Sequence, residues 1–200
     1  MTGHRVVISI DPGFGGTGLA MFVGSRLYRF KNIKTTEEKD ARYKDVASRC
    51  VRKVLQWFDD LKAAAREPDE ENIVDVSVVI ESPHLFDGPK GIAAAGMGAV
   101  FMVARLVGAI AVLMETHLDS YLAAQDCSYR ILMAYPEPRV WKGQMSKAAT
   151  KYRVLKKVKY ATDYILHTLY KLNDGMPDHI FDAVGMGMWY IKEHSEIYNY

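Results

Sequence analysis

Two carboxylates stand at the ends of apolar runs, Asp11 after VVISI and Glu81 after VSVVI. Both runs are rich in β-branched residues and read as strands. Ligands of open α/β sheets gather at the carboxyl ends of strands. A strand-end acid is also costly to bury unless it is paired or metal-bound. On neighbouring parallel strands the two acids would converge on one site. Taken singly each has a plainer reading as a turn cap, Asp11 above all, because Pro12-Gly13 follows it. A third group lies near the C-terminus, where Pro177-Asp178-His179-Ile180-Phe181-Asp182-Ala183 opens a helical pattern. Spacings of three and four residues let Asp178, His179 and Asp182 share one face. The helix macrodipole accounts for an acid in the first turn, such as Asp178. It accounts less well for Asp182, which lies beyond that turn and precedes Ala183-Val184-Gly185. Three or four carboxylate or imidazole ligands are what Mg²⁺ or Mn²⁺ takes while keeping positions open for phosphate oxygens and water.

The charge distribution points the same way. The net charge is +2, but eight of the 26 basic residues fall between Pro138 and Thr162, with no acid among them. They include Arg139, Lys142, Lys147, Lys151, Arg153 and Lys156; the remainder of the chain is then net −6, with 18 basic and 24 acidic residues. A basic segment on a mildly acidic body is the footprint of a polyanion-binding face. The alternative is a solvated helix face, which the absence of acids disfavours.

These residues need a frame. Residues 5–10, 18–23 and 26–33 read as three antiparallel strands, the last two joined by a Gly24-Ser25 turn. Residues 37–65 show helical spacing and 66–72 (REPDEEN) a charged loop. A strand at 74–80 leads to a loop from Ser82 to Lys90, then to an apolar helix over 91–117. A short strand at 130–135 is ended by Pro136 and Pro138, and a basic helix spans 145–171. Asn173-Asp174-Gly175-Met176-Pro177 breaks the chain before a last helix at 178–194. The order βββαβαβαα implies an α/β fold, a mixed sheet flanked by helices, in one domain over residues 1–200.

The apolar helix is long enough for a bilayer, yet Arg105 sits near its centre and it is rich in Ala and Gly. It reads as a buried helix of a protein without a membrane span. A helix apolar all round must be covered on all sides, and a second copy of the chain would supply the outer cover. Gly96, Gly98, Ala99 and Gly108 would allow close approach. A composition of 49% hydrophobic and 25% charged residues excludes a disordered or collagen-like chain. Two cysteines, Cys50 and Cys127, form neither a metal cluster nor a disulfide framework. The opening MTGHRVV has no charged-then-apolar leader. A cytoplasmic setting is expected, nucleoid-associated or in a virus-infected cell, with an organelle left open.

Four segments in order resemble the RuvC-type Holliday junction resolvases of the ribonuclease-H-like superfamily. IDPGFGGTGLAMF is similar to their opening strand and turn, and VVIESP to their second acidic strand end. GQMSKAATKYRV is similar to their basic helix, with Lys151 at the family's lysine position, and HIFDAVGMGMWY to their closing helix. The resemblance implies a ribonuclease-H-like fold and a homodimer that hydrolyses phosphodiesters in four-way or branched DNA with Mg²⁺, Mn²⁺ substituting. It implies Asp11, Glu81, His179 and Asp182 as the catalytic set, with Asp11 bridging two ions roughly 4 Å apart. Asp178, one residue off the family's spacing, is either a further metal ligand, an outer group or a helix-start residue. His179 either ligates, orients the nucleophile or packs in the core. Lys142, Lys147, Lys151, Arg153 and Lys156 would meet DNA. Phe86 is either the junction-wedging aromatic or a loop anchor.

Three rival readings remain. A ribonuclease H or transposase-like nuclease on the same fold would act on an RNA–DNA hybrid or on other branched DNA. A catalytically inactive junction-binding scaffold would lack a metal ligand, yet Asp11, Glu81 and Asp182 are all present. An actin-like nucleotide-binding protein also opens with D-x-G but needs two such domains.

Overall fold

In the computed structural model, the described residues are 4–13, 15–34, 42–64, 73–83, 98–125, 128–157 and 177–198. Their elements are β1 (His4–Asp11), β2 (Gly16–Val23), β3 (Arg26–Lys34), α1 (Arg42–Ala64), β4 (Ile73–Ile80), α2 (Ala99–Ala123), β5 (Arg130–Ala134), α3 (Pro138–Trp141), α4 (Lys147–Lys157), α5 (Asp178–Glu193) and α6 (Ser195–Tyr198). The five strands form one mixed sheet in the order β3-β2-β1-β4-β5. β1, β2 and β3 are antiparallel, whereas β4 and β5 run parallel to β1. Gly24, at φ 56°, supplies the positive backbone angle that the tight β2–β3 turn needs.

Alternation along β1 sends its side chains into two cores. Val6, Ile8 and Ile10 face α1 and α2 together with Val54, Phe58, Ile110 and Met114. Val7 faces the opposite side, where Phe22, Val79, Phe181 and Val184 pack with Trp141 and Val154 of α3 and α4. Asp11 follows Val7 by four residues and Glu81 follows Val79 by two. The strand period therefore aims both acids at the α5 side.

Two expectations change. The apolar helix runs on to Ala123, because Leu118 and Leu122 continue a buried stripe that begins with Leu106, Ile110 and Met114. Val107, Ala111 and Leu113 are partly buried beside that stripe, whereas Phe101 is 70% and Val112 64% exposed, which leaves α2 an outer apolar face. α2 is also long and apolar enough to cross a membrane by length and composition. The basic helix begins at Lys147 rather than at 145, and a short helix that the sequence did not suggest precedes it. Pro138, in the first turn of α3, starts a short helix that closes at Lys142, and Gly143, at φ 59°, turns the chain before α4 begins at Lys147. Phe86, Gly96, REPDEEN, the continuation of the basic helix over 158–171 and the Asn173–Met176 break lie outside the described residues.

Candidate active site

β1 and β4 are adjacent and parallel, and the backbone N–H of Glu81 donates to the carbonyl of Ile10 at 2.9 Å. This fixes the two strand-end acids side by side. α5 crosses above them, brought close by small residues below. A Cβ on Gly18 would run into the backbone carbonyl of His179, and one on Gly13 into its imidazole. The first turn of α5 thus lies directly on the sheet, with Asp182 buried one turn on.

Each acid has its own partner. His179 Nδ1 lies 2.6 Å from Asp11 Oδ2. The Lys142 ammonium donates to Asp182 Oδ2 at 3.1 Å and stands 3.9 Å from Glu81 Oε2. The indole N–H of Trp141 donates to Glu81 Oε2 at 2.8 Å. Asp178 stays apart on the exposed side, paired with Lys147 at 2.8 Å. Asp11, Glu81, His179 and Asp182 are therefore brought together, and Asp178 is not.

Lys142 sits inside this group rather than out on a DNA-facing helix. Lys151 lies over the Phe181 ring at 4.9 Å, and Lys156 over the Tyr152 ring at 5.9 Å. Arg153 and Lys156 are exposed on α4. Trp141 is the site residue that sequence reading missed. Its only signal was an aromatic residue immediately before Lys142.

Burial shapes the titration. Glu81 is pushed up to about 7, first by burial and then by the nearby charge of Asp11. Burial also raises Asp11, against the opposing effect of its hydrogen bond to His179. That same hydrogen bond raises His179. The Lys147 ammonium holds Asp178 below the ordinary carboxylate range. Acids that repel one another in a dry setting favour either a proton or a cation between them.

The donor set fits a hard divalent ion, since it offers three carboxylates and an imidazole. Among the described residues, no three such side chains yet close around one point, and Lys142 bridges Glu81 and Asp182 instead.

A pH dependence follows. An acid whose pKa is raised on folding binds its proton more tightly in the native state. Glu81 therefore costs stability as pH rises from its ordinary 4.5 to about 7. His179, also raised, contributes stability below 6.5 that is lost as pH rises through its folded value. Metal-free protein is expected to melt at a lower temperature at pH 8 than at pH 5.5. Mn²⁺ should raise the melting temperature more at pH 8, because its ligands must be deprotonated. A metal-free melting temperature that climbs from pH 5.5 to 8 would contradict this assignment.

No protein-family model matches the sequence, and no curated protein matches it. Solved structures do match in shape. The human cytomegalovirus terminase nuclease domain, Mn soaked, gives a TM-score of 0.55 at 13% identity, covering 98% of this chain and 86% of that one. Thermus thermophilus RuvC gives 0.52 at 16% identity, covering 97% and 98%. The chain has the ribonuclease-H-like fold. T. thermophilus RuvC in complex with a Holliday junction substrate matches at TM-score 0.50 and 17% identity over 96% and 98% of the two chains. The resemblance read from the sequence put acids at two strand ends and on the closing helix, and Asp11, Glu81 and Asp182 stand at those places here.

Proposed function

We propose that this chain is a divalent-metal-dependent endonuclease that resolves four-way (Holliday) DNA junctions by phosphodiester hydrolysis. The observation that carries the reading is the convergence of Asp182 of α5 with Asp11 and Glu81 at the strand ends beneath it. Asp11, Glu81 and Asp182 would hold Mg²⁺ or Mn²⁺, for which Lys142 must leave Asp182. When bound, such ions supply an activated water and neutralise the departing 3′-oxygen. His179, hydrogen-bonded to Asp11, orients that carboxylate and holds a proton beside it. Lys147, Arg153 and Lys156, exposed on α4, align phosphates by charge. The deciding experiment is cleavage of a synthetic four-way junction with Mg²⁺, alongside linear duplex and RNA–DNA hybrid. Faster cutting of the hybrid or the linear duplex would assign a different ribonuclease-H-like activity.

DNA affinity should depend on salt through the α4 cations. The Lys147→Ala, Arg153→Ala, Lys156→Ala triple variant is expected to lower the slope of log K against log salt by about 0.9 for each phosphate that is no longer neutralised. An unchanged slope on duplex arms would contradict the assignment.

The protein acts, in this reading, as a cytoplasmic homodimer of one-domain chains, with no membrane span. The exposed apolar residues Phe101, Met102 and Val112 on α2 form the seam. Light scattering should find a dimer at micromolar concentration. Val112→Glu should shift it to monomer and uncouple the two opposed incisions.

A further inference from the structure

A cleft of about 470 Å³ runs between α4 and α5, behind the acidic site. Its walls include Trp141, Trp189, Met145 and Met188, with Arg153 and Lys192 as its charged residues. None of the described residues that line it is acidic. The volume suits a small organic ligand, and apolar walls with a few placed polar groups are usual for such sites.

Three features specify the ligand. Indoles and thioethers favour a flat aromatic ring. The guanidinium of Arg153 touches the sulfur of Met145 at 3.6 Å, a weak acceptor, and has no carboxylate partner among the described residues. Lys192, paired on the surface with Glu193 at 3.6 Å, adds a second cation. A ring with an anionic group attached satisfies both the walls and the charges. Finally, Trp141 belongs to both places. Its indole N–H holds Glu81, while its ring edge lies against Gly185, where an added Cβ would come within 3.1 Å of Cζ3.

We propose that this cleft binds one unpaired nucleotide, its base among the indoles and methionines and its phosphate on Arg153 and Lys192. The assignment of that nucleotide to the DNA substrate rests on the nuclease reading above. An unpaired base is available to an aromatic pocket because it has already left its stack. Trp141 then places the recognised nucleotide one side chain away from a catalytic acid.

The test uses the full chain in metal-free buffer with deoxyadenosine 5′-monophosphate as the probe, read by tryptophan emission and calorimetry. Trp141 and Trp189 line the cleft, whereas the third tryptophan, Trp57, is buried in the other core. Saturable quenching is expected, with deoxyadenosine and deoxyribose 5-phosphate each binding at least tenfold more weakly. The surface variant Arg153→Glu, Lys192→Glu should weaken the nucleotide at least tenfold and leave deoxyadenosine unchanged. No quenching at millimolar nucleotide would overturn the proposal, as would equal affinity for either fragment or for the double variant. Junction cleavage is assayed separately. A chain that cuts junctions but binds no nucleotide refutes the cleft alone. One that binds the nucleotide but cuts no nucleic acid refutes the nuclease reading and, with it, the placing of the nucleotide in a DNA substrate.

Discussion

Asp11→Asn is expected to reduce junction cleavage by more than about 10³-fold, equivalent to about 4 kcal/mol of transition-state stabilisation. Asp11 is buried at the end of the central strand and stands beside both His179 and the neighbouring acids. The amide keeps the size of the side chain and removes its charge. Metal affinity should fall with activity, whereas junction affinity should stay within about twofold if, as proposed, it comes from phosphate contacts on α4. The substitution also relieves the burial of an acid, so the metal-free variant should melt no lower than the wild type at pH 8. Quenched-flow cleavage rates, a binding isotherm in Ca²⁺ and a melting curve separate these outcomes. Wild-type cleavage by the Asn variant would remove Asp11 from the mechanism.

Gly18→Ala should be the most damaging small change outside the acids. The added Cβ meets the His179 carbonyl, which is backbone and cannot rotate away. α5 must lift from the sheet, carrying His179 and Asp182 off Asp11. Overpacking of this kind costs about 1–3 kcal/mol, or a melting point lower by about 3–10 °C. Cleavage should fall further than stability, since the helix bearing Asp182 has moved. Gly15→Ala is the control, because a Cβ there meets nothing within 4 Å. Equal melting points for the two variants would show that α5 does not rest on β2 as described.

The strand-end acids were legible because two local signals coincide there. Apolar β-branched runs fix the strands, and period two decides which face each acid takes. The pairing of Asp11 with Glu81 needed only that β1 and β4 be parallel neighbours, which the βββαβ order favours. The closing helix was legible from its spacing, but the separate fates of Asp178 and Asp182 were left open between a metal ligand and a helix-start residue for Asp178. Both belong to one periodic face, and only the inward tilt of α5 buries Asp182 and leaves Asp178 with Lys147. Lys142 was read as a phosphate contact because it sits in a basic run. Its inward position comes from the break at Gly143, which separates α3 from α4 and turns Trp141 and Lys142 toward the acids. Long-range placements of this kind depend on where a turn ends in space, which residue spacing does not encode. The outer apolar face of α2 was legible in outline, because a helix apolar all round has more apolar surface than one sheet can cover.

The outer strand β3 bears on whether copies of the chain can join edge to edge. It is the edge of the sheet among the described elements and carries Arg26, Arg29, Lys31 and Lys34 as exposed cations. A like strand from another copy would set these cations against its own, a repulsion that protects an open edge from pairing. Extension of the sheet from chain to chain is thereby discouraged on that side. The same protection works against the ribbon-like assemblies that bare edges invite.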